Sequence, residues 1–204
     1  MEGPKFMLLT LDTTHKVLSL AVTQHNKTLA NMQTNSNTLS GDMLLPTILT
    51  FFKDHCIKPQ HITALACSTG PGSFTGVRIG IAFAKAFHLA NKVPIYGLNS
   101  FEALAWKIDT PVTVLIDSYR GDFFAQDFNM DMVSEPYIIS LEEMIRKKRP
   151  VTGFIKDEDK TIFQNLYLPY KNNVAINLGQ IFYSAPQKMT PPVPFYIRSA
   201  DVSY

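Results

Sequence analysis

Residues 8–22 read "LLTLDTTHKVLSLAV" and residues 113–128 read "TVLIDSYRGDFFAQDF". Each runs an apolar strand into an aspartate (Asp12, then Asp117), adds a hydroxyl residue and a polar turn, and returns on a second apolar strand. A repeat of this size decides the architecture, because it points to two copies of one supersecondary unit. After the first hairpin the pattern predicts a third strand beyond the turn His25-Asn26-Lys27 and a helix through "GDMLLPTILTFFKDHC" with Ser40 as its cap. A strand at "HITALACS", a long helix from Phe74 to Ala90, a strand "VPIYGL" and a helix "SFEALAW" follow. After the second hairpin come a short helix "LEEMIRKKRP", a strand "VTGFI", a helix "NVAINLGQIFYSA" and an extended, proline-rich tail. The expectation is a duplicated α/β fold around a central cleft, with units at 1–105 and 106–204, the second of them compact.

Bulk composition narrows the class. A chain of 204 residues with 46% hydrophobic and 18% charged residues is ordinary for a globular protein. A formal charge of +2 gives no dominant field for nucleic acid or membrane, so contact with RNA has to come through a partner or a local patch. Cys56 and Cys67 form no CxxC pair, which fits free thiols in a reducing compartment and leads us to expect a cytoplasmic protein. No apolar run approaches the roughly 20 residues that span a bilayer, and the opening residues do not read as a signal peptide.

The usual chemical motifs fail one by one. "GPGSFTGVR", which opens the long helix, lacks the spacing and lysine of a Walker A loop, and Thr75 stands where a dinucleotide fingerprint needs its third glycine. A tight strand-to-helix turn capped by Ser73 is the favoured reading of that stretch. His15, His25, His55, His61 and His88 form no tight ligand pair, so no metal site assembles locally. No G-x-S-x-G elbow is present, and no catalytic residue is assigned. Asp12, Thr13 and Thr14 place a carboxylate and two hydroxyls in one turn, which makes them the weak candidate for holding nucleotide phosphate, against an Asx-turn. The run Arg146 to Arg149 reads as a solvated helix end in preference to an RNA patch.

The long helix carries more information. Between Phe74 and Ala90 its titratable side chains are Arg78, Lys85 and His88, so it is expected to be covered on two sides. Gly76, Gly80 and Ala84 recur every fourth position as a smooth strip beside the ridge Ile79, Phe83 and Phe87. The preceding helix, with Leu44, Leu45 and Ile48, is equally apolar, and two such neighbours suggest a subunit interface.

Together "TGPGSFTGVRIGIAFAKAF", "LLTLDTTHKVLSLAV", "VLIDSYRGDFFAQ" and "PFYIRSADV" resemble the TsaB (YeaZ) family, in order and across both halves. The resemblance implies the duplicated actin-like ATPase fold of the sugar-kinase and Hsp70 class. It also implies a non-catalytic relative of TsaD that binds TsaD as a heterodimer and, with TsaE, supports threonylcarbamoyl transfer to the adenosine beside the tRNA anticodon. A homodimer when alone, tRNA contact only through the complex, and no membrane association complete the implied partners. No cofactor is firm, with ATP or ADP at a shared interface left open. The family's interface segments map onto Leu44, Leu45, Ile48, Gly76, Val77, Gly80, Phe83, Ala84 and Phe87. Catalytic relatives carry a His-Met-Glu-Gly-His stretch where this chain has "NSFEAL", so Ser100 and Leu104 replace the two histidines and Glu102 stands alone. Many relatives also have a His-Ser pair before the first helix, whereas this chain reads "TLSGDMLLP". The rival class is an enzyme, either an actin-like-fold ATPase or a peptidase-like protein.

Overall fold

The computed structural model describes residues 6–34, 41–130 and 132–198. The first half contains β1 (Met7–Asp12), β2 (Ser19–Gln24), β3 (Lys27–Gln33), α1 (Gly41–Asp54), β4 (Ala64–Ser68), α2 (Phe74–Asn91), β5 (Ile95–Leu98) and α3 (Ser100–Ala105). The second contains β6 (Val112–Asp117), β7 (Asp122–Phe128), β8 (Tyr137–Ser140), α4 (Leu141–Lys147), β9 (Val151–Phe154), α5 (Asp157–Phe163) and α6 (Val174–Ser184). Strands order as β3-β2-β1-β4-β5 in one sheet and β8-β7-β6-β9 in the other. In each sheet the leading hairpin is antiparallel and the next strand returns parallel to its first strand. The architecture is thus the duplicated actin-like α/β arrangement, the second copy lacking a counterpart of β5 among the described residues.

Burial explains the elements. β1 is covered on both faces, so it reads as a near-continuous apolar run, and successive side chains point opposite ways. Leu9 and Leu11 enter a core with Leu44, Ile48, Phe51 and Phe52 of α1 and Val77, Ile81 and Phe87 of α2. On the other face Thr10 Oγ1 donates to the carbonyl of Ala175 at 2.7 Å, so α6 covers the first sheet. The same α6 joins α3 and the inner face of the second sheet around Phe101, Leu104, Val114, Ile116, Leu178 and Ile181. A third core, with Leu115, Phe123, Met144 and Phe163, fills the outer face of that sheet under α4 and α5. Because α6 serves both sheets, the halves are held by shared core rather than by a linker.

Local chemistry sets the helix ends. Ser73 Oγ accepts from Gly76 N at 3.2 Å to open α2, and Lys92 closes it in the left-handed region at φ 56. Ser140 and Glu143 form a reciprocal capping box on α4. The basic run is a helix end, as expected: Arg146 pairs with Glu142 at 3.3 Å, Lys147 donates to the Tyr137 hydroxyl at 2.9 Å, and Arg149 donates to Asn129 Oδ1 at 2.9 Å. The tail turns back over the first half, where Thr190 N donates to Gly97 O and Phe195 N to Thr69 O, before Arg198 reaches Asp122 Oδ2 at 2.7 Å in the second. Ser40, expected as a cap, and the tail beyond Arg198 lie outside the described residues. Among the described residues no helix is long and apolar enough to cross a membrane.

Candidate functional site

The repeated aspartates end β1 and β6 and put the two hairpin turns opposite each other. Lys16 lies 5.5 Å from the ring centroid of Tyr119, and a small hollow of about 170 Å³ is lined by both turns. Asp12 Oδ1 accepts from Thr14 N at 3.1 Å and from Thr14 Oγ1 at 2.7 Å. Asp117 Oδ1 accepts from Tyr119 N at 2.7 Å, the same device in the second copy. What the repeat preserves is an Asx turn.

Asp12, Thr13 and Thr14 are buried, and their side-chain oxygens other than Asp12 Oδ2 are engaged within the chain. Thr13 Oγ1 donates to Gly76 O at 2.7 Å, Thr14 Oγ1 lies 3.2 Å from Ser100 Oγ, and Thr14 O accepts from Ser73 N at 2.7 Å. The β4–α2 turn packs on the turn expected to hold phosphate and leaves its hydroxyls facing protein. Asp12 Oδ2 stays buried without a hydrogen-bond partner among the described residues, as does Ser68 Oγ on the neighbouring strand β4. Burial pushes the Cys67 thiol up to about 12, and the charge of Asp12 adds to the rise. Burial lowers His15 to about 4 although Asp12 pulls the other way, so its imidazole is neutral. That ring lies 3.6 Å from the ring of Phe154, filling the junction between the halves.

The expected interface residues divide. Leu44, Ile48, Gly76, Val77, Gly80, Ala84 and Phe87 are all buried against this chain. A Cβ at Gly76 would collide with the Thr13 carbonyl and one at Gly80 with Thr13 Oγ1, so the smooth strip receives the β1–β2 turn. This corrects the expectation that a second helix approaches there. Leu45 is 53% exposed, Met43 and Leu49 are 56% and 52%, and Phe83 of α2 is half-buried. Among the described residues no group of three or more His, Cys, Asp or Glu side chains could hold a metal ion. Ser100 and Leu104 are buried, and Glu102 is paired with Lys188 of the tail.

Sequence reasoning missed a larger cleft of about 380 Å³, lined by the β4–α2 turn with Phe74, the β6–β7 turn from Ser118 to Arg120, and tail residues 195–198. No local motif signals it, because the tail supplies a wall from far along the chain.

Comparison with known proteins supports the same assignment. The family model for TsaD, tRNA N6-adenosine threonylcarbamoyltransferase, matches residues 36–178, well over half of the chain. The "tRNA threonylcarbamoyladenosine biosynthesis protein TsaB" of Bacillus subtilis is 28% identical over 120 residues, 57% of this chain and 52% of that protein. The Escherichia coli protein of the same name is 32% identical over 93 residues, 43% of this chain and 40% of its own. The matched stretch therefore spans about half the length of these relatives. YeaZ from Pseudomonas aeruginosa superposes with a TM-score of 0.69 at 17% identity, covering 94% of this chain and all of that one, which establishes the common fold.

Proposed function

The chain belongs to the TsaD family and, within it, to the TsaB (YeaZ) branch, and on that premise we propose that it is a non-catalytic subunit of the tRNA threonylcarbamoyladenosine machinery. In this proposal it forms a heterodimer with TsaD and, with TsaE, supports transfer of the threonylcarbamoyl group to the adenosine beside the anticodon. The units at 1–105 and 106–204 serve different ends, the first carrying the partner-binding helices and the second bracing, through α6, the opposite face of the sheet on which they pack.

The observation that carries the proposal is the outward face of α1. Met43, Leu45 and Leu49 are each more than half exposed while Leu44, Ile48, Phe51 and Phe52 of the same helix are buried. Leu45 and Leu49, one turn apart, form an exposed apolar edge beside the buried stripe, while Asp42, Pro46, Thr50 and Lys53 occupy the side away from it; such an edge is a second surface to cover. The closed Asp12 turn supports an accessory role over an ATPase or peptidase, because a catalytic cleft needs reactive groups that face substrate.

Pull-down of TsaD from the same organism tests the docking face. Leu45→Asp with Leu49→Asp should reduce capture at least tenfold, while the melt moves by less than about 0.5 kcal/mol in stability, as for surface positions generally. Capture at the parental level by a folded double variant would remove α1 from the interface.

A further inference from the structure

We propose that the cleft between the β4–α2 turn, the β6–β7 turn and the tail is a contact surface for single-stranded RNA, made by this chain itself. It rests on the tRNA pathway only for the choice of RNA over DNA. Three aromatic rings stand around it half-exposed: Tyr119 at 50%, Phe74 at 40% and Tyr196 at 38%. Cations interleave with them. Arg78 lies 3.8 Å over the Phe74 ring and donates from Nε to the Tyr196 hydroxyl at 3.3 Å, Lys16 approaches Tyr119, and Arg120 and Arg198 line the cleft wall.

The local charge is positive in excess, Arg78, Lys16, Arg120 and Arg198 against Asp117 and Asp122, with Arg198 neutralised by its pair with Asp122. Asp122 is engaged by Arg198 and by Ser118 Oγ, and Asp117 is turned into its own backbone. The N-terminus of α2 also opens at Ser73 and Phe74, adding partial positive charge from its first turn. Phe74, Tyr196 and Arg78 form one platform, its two rings 5.2 Å apart, and Tyr119 a second one across the cleft; two such platforms with cations beside them suit bases and phosphates of an unpaired strand, since any base can stack on an aromatic or guanidinium plane while arginines track the backbone. A free nucleotide would be better served by a closed slot than by an open cleft. The chain's overall charge of +2 matches a local patch rather than a broad nucleic-acid surface.

Fluorescence anisotropy of a labelled 17-nucleotide single-stranded RNA titrated with the full chain tests the assignment, with blunt duplex RNA and ATP as competitors. Tyr196→Ala and Arg120→Ala should each weaken binding about five- to a hundredfold. Arg120→Ala should also lower the salt slope by about one. Arg146→Ala, at the other basic point of the chain, should leave binding unchanged, and duplex RNA should compete poorly. Should Tyr196→Ala fail to fold, Arg120→Glu decides, its fold checked by melting. Absence of RNA binding, equal loss in Arg146→Ala, or binding indifferent to the cleft variants overturns the proposal. Displacement of RNA by ATP at equal or lower concentration assigns the cleft to a free nucleotide, and loss of TsaD capture with RNA binding intact assigns it to protein; either result refutes it. Failure of the subunit proposal appears separately, as normal RNA binding by a chain that does not pair with TsaD.

Discussion

Helix propensity alone makes Gly80→Ala a stabilising change, by about 0.8–1 kcal/mol in a helix interior. Packing reverses the sign. A Cβ at Gly80 would collide with Thr13 Oγ1 and stand 3.6 Å from Thr13 Cβ and 3.7 Å from its Cγ2. Thr13 then has to abandon its 2.7 Å bond to Gly76 O, leaving its buried hydroxyl unsatisfied at about 1–3 kcal/mol. Displacing the closed turn adds about 1–3 kcal/mol of overpacking. After the propensity gain the net loss centres on about 3 kcal/mol, and at about 2–4 °C per kcal/mol for a chain of this size the melting temperature should fall by roughly 9 °C. Thermal melts of Gly80→Ala, Thr13→Ala and the double variant form the assay. Removing Oγ1 first should make the glycine substitution at least about 1 kcal/mol less costly, a coupling expected only of groups in contact. A Gly80→Ala protein that melts at or above the parent, or costs the same in both backgrounds, would refute the packing of the strip against the β1–β2 turn. By the same geometry Gly80→Leu should unfold the chain before it merely blocks association.

Two further outcomes follow from the buried groups beside that turn. Because His15 is held near 4 against an ordinary value of 6.5, the unfolded chain binds a proton that the folded chain refuses; stability present above about pH 6.5 should be lost on descent towards pH 4, by up to about 3 kcal/mol. Urea unfolding between pH 7 and 4.5 reads it, and His15→Phe should flatten that part of the profile; an equally steep loss in the variant would shift the cause to other groups. Cys56 is exposed while the buried Cys67 thiol stands at about 12, so a thiol reagent at pH 8 should find one fast group in the native chain and two in denaturant. Two fast thiols in the native state would contradict the burial of β4.

Much of the fold was legible because its signals are local. The two hairpins announce themselves through Asp12 and Asp117, each of which ties a turn to its own backbone, and α2 through Ser73 and its apolar stretch, although the expected cover on two sides is not met among the described residues, where Ala82, Lys85, Ala86 and Leu89 are exposed. The elements missed were β8 and α5: four residues are too few for alternation to register, and "DEDKTIF" offers hardly an apolar stripe. The site was harder to read, because its decisive contacts join distant segments. Nothing near Gly76 or Gly80 says whether a glycine strip meets a foreign helix or Thr13, since both demand the same small residues. Likewise, the meeting of Tyr196 with Phe74 and Arg78 depends on how the tail is routed over β5 and β4. Periodicity gave the buried and exposed faces of α1 only in outline, as a helix apolar beyond the needs of one core.

The account stands most directly on reconstituted transfer: threonylcarbamoyl incorporation into tRNA by purified TsaD and TsaE from the same organism, measured with and without this chain. Modified adenosine that accumulates only when the chain is added, with none formed by the chain alone, is the predicted result. Full incorporation without the chain, or transfer by the chain without TsaD, would contradict it.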